Sequence, residues 1–129
     1  MRTSERALAG MSPPPERAES KRIVTDFELE KALDFLRDNA AAIGEAKART
    51  VRAGHMLRHV EALQFKMSDE RSAEARKADA RCSDRYVEAM EEDAVAAGEY
   101  EKLRALREAA ALKIESWRSE GANYRAMKL

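Results

Sequence analysis

The residues with the most chemical capacity gather at the C-terminus, where Trp117 and Tyr124 stand among Arg118, Arg125 and Lys128. Aromatic faces interleaved with cations are the components with which grooves for single-stranded nucleic acid stack bases and pair phosphates. The same Trp117 can instead close an apolar stripe and pack near Ile23 and Val24, leaving the last residues solvated. Two histidines, His55 and His59, lie at i and i+4, a spacing that puts both imidazoles on one helical face and can hold a metal. Met56 stands where the zinc-hydrolase helix carries its general-base Glu, so the pair reads as solvated histidines in a basic patch. Cys82 has no neighbouring base to activate it and reads as a packed thiol. No glycine-rich phosphate loop, nucleophile elbow or spaced carboxylate pair occurs. The expectation is therefore a protein without catalytic residues, cofactor or metal.

Composition narrows the class further. The 129 residues carry 24 Lys+Arg against 24 Asp+Glu, which excludes a uniformly basic nucleic-acid binder and an acidic tail protein. Neutrality here is a sum of opposed blocks. Residues 88–101 hold six acids (Glu88, Glu91, Glu92, Asp93, Glu99, Glu101) and no Lys or Arg, whereas 45–59 hold Lys47, Arg49, Arg52 and Arg58 against one acid. Leu, Ile, Val and Phe number only 21, against 25 Ala, so any core must be built largely from small side chains. No stretch approaches the roughly 18 apolar residues of a membrane span, and no apolar signal core follows Arg2, Glu5 and Arg6.

The elements that must position these residues are helices. Residues 1–24 contain Pro13, Pro14 and Pro15 and read as a flexible Pro/Ser-rich arm. Thr25-Asp26-Phe27-Glu28 is a capping box, and a proline-free run of helix formers follows to about residue 66. Its stripe is Leu29, Leu33, Leu36, Ala40, Ile43, Lys47, Thr50, Gly54 and Leu57, clearly apolar only up to Ile43. Gly44 and Gly54 inside it each cost up to about 1 kcal/mol of helix propensity, which suggests a packing reason for both.

Ser68 is placed to cap a second helix over about 69–118, ahead of Gly121 and a tail over 120–129. Its stripe is Cys82, Tyr86, Ala89, Asp93, Ala96, Tyr100, Leu103, Arg107, Ala110, Ile114 and Trp117. Steps of four and three alternate without a slip, the signature of a coiled coil. The fold class read from this is all-α: a long antiparallel two-helix coiled-coil hairpin over 25–119 with a disordered N-terminal arm. A turn near 67–69 pairs residues whose numbers sum to roughly 136, which brings Asp93 within one turn of Lys47. These two are the expected structural polar pair. Val60, Leu63, Val87, Met90, Val95, Leu106 and Leu112 would remain outside the seam, a second apolar surface suited to self-association or a protein partner.

The runs Glu61-Ala62-Leu63-Gln64-Phe65-Lys66, Ala75–Ala80 and Ser83-Asp84-Arg85-Tyr86, with Ala109–Arg118 and Ala122-Asn123-Tyr124-Arg125, resemble a family of small helical phage and prophage proteins closing on an Ile-Glu-x-Trp-Arg motif. The similarity spans roughly residues 26–126, with Gln64-Phe65 in place of that family's Leu-Met pair. It implies a bacterial cytoplasm and a role beside DNA recombination or replication, with no catalytic residue. Two expectations follow. One is a non-enzymatic accessory protein using a protein partner, and single-stranded DNA at Trp117, Arg118, Tyr124, Arg125 and Lys128. The other is a structural coiled-coil adaptor or assembly chaperone with no nucleic-acid contact.

Overall fold

The structure, a computed structural model, describes residues 22–128. Most of the expected arm, residues 1–21, lies outside the described residues. The fold is all-α, with no strand among the described residues: α1 is Asp26–Met67, α2 Ala73–Arg81 and α3 Asp84–Lys128. Helix α1 starts where the capping box puts it. The Glu28 amide donates to Thr25 Oγ1 at 3.1 Å, and the Thr25 hydroxyl donates to the Glu28 carboxylate at 3.3 Å. One of the backbone donors that a helix start leaves open, the Glu28 amide, is thereby engaged.

The reversal is longer than a tight turn at Ser68. Ser68 is buried and its hydroxyl accepts from the Glu70 amide, so it holds a non-helical stretch rather than capping a helix. Ser72 is the cap of α2, accepting from the Ala75 amide at 3.0 Å. Ser83 starts α3: its hydroxyl accepts from the Tyr86 amide and donates to the Ala80 carbonyl. Three serines thus divide what reads as one helix start into a loop, a nine-residue helix and a new start. At the other end, α3 does not stop before Gly121 but runs to Lys128. One glycine costs about 1 kcal/mol in a helix interior, and the helix-forming residues on both sides outweigh it.

By Cα proximity the chain divides into two compact units, one holding the described residues up to Asp38 and from Arg107 on, the other Asn39–Leu106. In the first, the start of α1 runs antiparallel to the end of α3, with Val24, Ala32 and Ala110 buried. In the second, the rest of α1 runs antiparallel to the first part of α3, with α2 at the reversal and Ile43, Ala80, Ala89 and Ala96 buried. Five of these seven buried apolar residues are alanines, and no large side chain is fully buried. Small seam residues permit close helix approach at little burial per residue.

The stripe on α3 is largely the inward one. Ala89, Ala96 and Ala110 are buried, and Tyr86, Asp93, Tyr100, Leu103, Ile114 and Trp117 are half-buried. Cys82 and Arg107 depart from it and are exposed. Cys82 ends α2, where its amide donates to the Ala78 and Asp79 carbonyls, so its position is set by the break and not by the α3 rhythm. On α1 one of the two lanes is displaced by a residue. Leu29, Leu36, Ile43, Thr50 and Leu57 are buried or half-buried, but Leu33, Ala40 and Lys47 are exposed, and Ala32, Asn39 and Ala46 turn inward in their place.

Gly44 has no packing role, because a Cβ placed there meets nothing within 4 Å, and at Gly54 the nearest atom is Asp93 Oδ1 at 3.9 Å. Gly44→Ala is therefore expected to stabilise the chain by about 0.5–1 kcal/mol, through helix propensity and a less flexible unfolded state. A raised urea midpoint at unchanged slope checks this, and a lowered midpoint refutes it.

Candidate functional site

In the first unit the C-terminal candidates meet the residues that precede α1. Trp117 Nε1 donates to Asp26 Oδ1 at 2.8 Å, and the Arg22 guanidinium lies 5.3 Å from the indole centroid while approaching Asp26 at 3.7 Å. One turn on, the Glu120 carboxylate accepts from the Ile23 amide at 3.1 Å and the Val24 amide at 3.2 Å. Val24 is buried. These contacts satisfy two backbone donors that lie ahead of the helix and tie the ends of α1 and α3 together. Trp117 is half-buried in this clasp, with one edge bound to Asp26 and Arg22 over its ring.

The remaining C-terminal candidates are not gathered around it. Arg118 pairs with Glu115 on its own helix, at 3.0 and 3.1 Å to the two carboxylate oxygens. Tyr124 and Arg125 are exposed on later turns of α3, and Lys128 is the last residue of that helix. Arg125 comes nearest to the buried Gly121, its Nη1 lying 3.5 Å from where a Cβ would stand.

In the second unit the expected Lys47–Asp93 pair is not formed. Lys47 Nζ sits 5.1 Å from the Tyr100 ring centroid, and Asp93 lies across from Gly54. The cause is the length of the reversal. With α2 inserted, facing residue numbers sum to about 147 rather than 136, as the Lys47–Tyr100 and Gly54–Asp93 contacts show. The opposed charge blocks do meet once, at Arg49–Glu99, 3.2 Å. Beside the reversal, Arg81 Nε donates to Glu61 at 2.8 Å. That hydrogen bond and the Glu61 charge hold the Arg81 guanidinium above its ordinary pKa. A raised cation pKa contributes stability below the ordinary value and loses it only in stronger alkali, so the pair responds to salt and not to Arg81 titration near neutrality.

His55 and His59 are both exposed, and among the described residues no three His, Cys, Asp or Glu side chains are placed to share a metal ion. Two open grooves mark the second unit. One, of about 790 Å³, is lined by the apolar Met56, Val60 and Val87 and by the charged Arg85, Glu88, Glu91 and Glu92. The other, of about 500 Å³, is lined by alanines of both long helices between Arg49, Arg52 and Glu99. Sequence reasoning places Val60 and Val87 outside the seam and Ala89, Ala96 and Leu103 on it, but does not join them into grooves, because the register that juxtaposes them depends on α2. Leu63, Val87, Met90, Val95, Leu106 and Leu112 are exposed as large apolar side chains, while Val60 is half-buried. No helix among the described residues is long and apolar enough to cross a membrane. No family model, curated protein or solved structure matches the chain.

Proposed function

We propose that this chain is a non-enzymatic accessory protein that works as a helical coiled-coil adaptor or assembly factor. Its long helices offer exposed apolar side chains to a protein partner. The observation that carries the reading is the contrast between its chemical groups and its apolar ones. Trp117 is held by Asp26 and Arg22, whereas Phe27, Leu33, Val95 and Leu112 are between 49% and 67% exposed. Large apolar side chains left this exposed are open to a protein partner that covers them. The similarity of Ile114-Glu115-Ser116-Trp117-Arg118 to small phage proteins supports a phage or prophage setting in a bacterial cytoplasm.

A second reading, binding of single-stranded DNA in aid of recombination or replication, draws on Tyr124, which is 51% exposed, and on the exposed Arg118 and Arg125. It is weakened by the engagement of Trp117, the best stacking face in the chain. Two measurements decide between them. A photo-crosslinking residue at Leu112 is expected to give protein adducts in cells, and one at the exposed Lys113 none; absence of adducts at Leu112 refutes the adaptor. Labelled single-stranded DNA is expected to show no binding at low salt. Binding that falls steeply with salt and is lost in Arg118→Ala/Arg125→Ala establishes the second reading instead, because phosphate contacts dominate such affinity.

A further inference from the structure

The two grooves of the second unit lie along one face. On α1, Arg49, Arg52 and Met56 follow at steps of three and four, and on α3 Glu88, Glu92 and Glu99 at steps of four and seven, so each set occupies one side of its helix. At one end of this face the charges are satisfied within the chain, by Arg49 and Glu99 at 3.2 Å. At the other end they are not. Among the described residues Arg52, Glu88 and Glu92 form no ion pair within 4 Å, and the grooves they line also hold Met56 and Val87, which are 55% and 43% exposed. The face is therefore net cationic on α1, with Arg49 and Arg52 against Glu45, and net anionic on α3, with Glu88, Glu91, Glu92 and Glu99 against Arg85, and apolar side chains line it with them.

We infer that this face is a two-fold interface with a second copy of the same chain, in which Arg52 of one protomer meets Glu88 and Glu92 of its partner beside the shared apolar Met56, Val60 and Val87. A two-fold contact is isologous, so a surface holding both members of a charge pair around an apolar centre satisfies itself twice when a copy is rotated onto it. The burial balance points the same way. The second unit buries only Ile43, Ala80, Ala89 and Ala96 as apolar residues, and pairing two helical hairpins into four helices is the usual way to cover such a surface. The inference goes beyond the adaptor reading, and its variants lie in the second unit whereas Leu112, where that reading is tested, lies in the first.

The test uses the full chain in sedimentation equilibrium, with helicity followed by circular dichroism. Wild type is expected to be a dimer. Arg52→Glu alone and Glu88→Arg/Glu92→Arg alone each place like charges opposite one another, and should weaken self-association at least tenfold or so at unchanged helicity. Mixing these two variants should restore a dimer containing one of each, because both reversed pairs then match. Met56→Glu, at an exposed position, should give a folded monomer. A monomeric wild type, a dimer that survives Met56→Glu, or a mixture that stays monomeric overturns the inference. Loss of helicity in the charge variants leaves the decision to Met56→Glu and wild type. A monomer that still gives adducts at Leu112 removes this interface and keeps the adaptor; a dimer without adducts does the reverse.

Discussion

Ile43→Ala is expected to lower the unfolding free energy by roughly 2–4 kcal/mol, the range for truncating a buried branched residue. Ile43 is 5% exposed and, with Val24, one of only two buried apolar residues larger than alanine among those described. The remaining seam is mostly Ala and cannot collapse far into the space left behind. Leu33→Ala is the informative control. Both residues lie on the same apparent stripe, but Leu33 is 49% exposed, and its truncation should stay within about 0.5 kcal/mol. Urea unfolding of the two variants checks the pair. Equal losses would mean that α1 presents Leu33 inward, contrary to the displaced lane.

Trp117→Ala is expected to cost about 2–3 kcal/mol, combining lost apolar contact with a lost hydrogen bond to a carboxylate. Trp117→Phe keeps an aromatic ring but loses the Nε1 donor and the second ring of the indole, so it should cost about 1–2 kcal/mol. Asp26→Ala also removes the Arg22 contact and should cost at least as much, and the double variant should cost less than the sum of the two, since both remove the same 2.8 Å bond. The clasp also has a local signature. The Ile23 and Val24 amides donate to Glu120, and with Glu120→Ala their hydrogen exchange should accelerate to near the unprotected rate. Independent, additive losses in the Asp26/Trp117 cycle would show that the contact carries no energy.

Several features of this chain are legible before any coordinates. The start of α1 rests on Thr25 and Glu28, which interact three residues apart and need nothing else. The inward edge of α3 follows from the four-three rhythm of Tyr86, Ala89, Asp93, Ala96 and Tyr100, because side chains repeat on one helical face at that spacing. That Trp117 meets the segment ahead of α1 is one of the two alternatives its sequence position offers, although the structure engages it through Asp26 and Arg22, while Ile23 and Val24 bond Glu120. By contrast, reading α1 by size favours Leu33 over Ala32. The structure prefers the smaller residue because a seam of alanines on α3 leaves room for close approach and not for a leucine.

Local chemistry thus determined that the described chain is helical, where α1 begins and which side of α3 turns inward, since capping and periodicity act within a few residues of sequence. Only the tertiary structure decided the pairing of distant residues: Lys47 on Tyr100, Asp93 by Gly54, Asp26 on Trp117, and the apolar grooves beside Arg52 and Glu92. The physical reason is that register between antiparallel helices is set by the length of the connection. Ser72 and Ser83 lengthened it by one short helix, and every facing pair in the second unit moved with it.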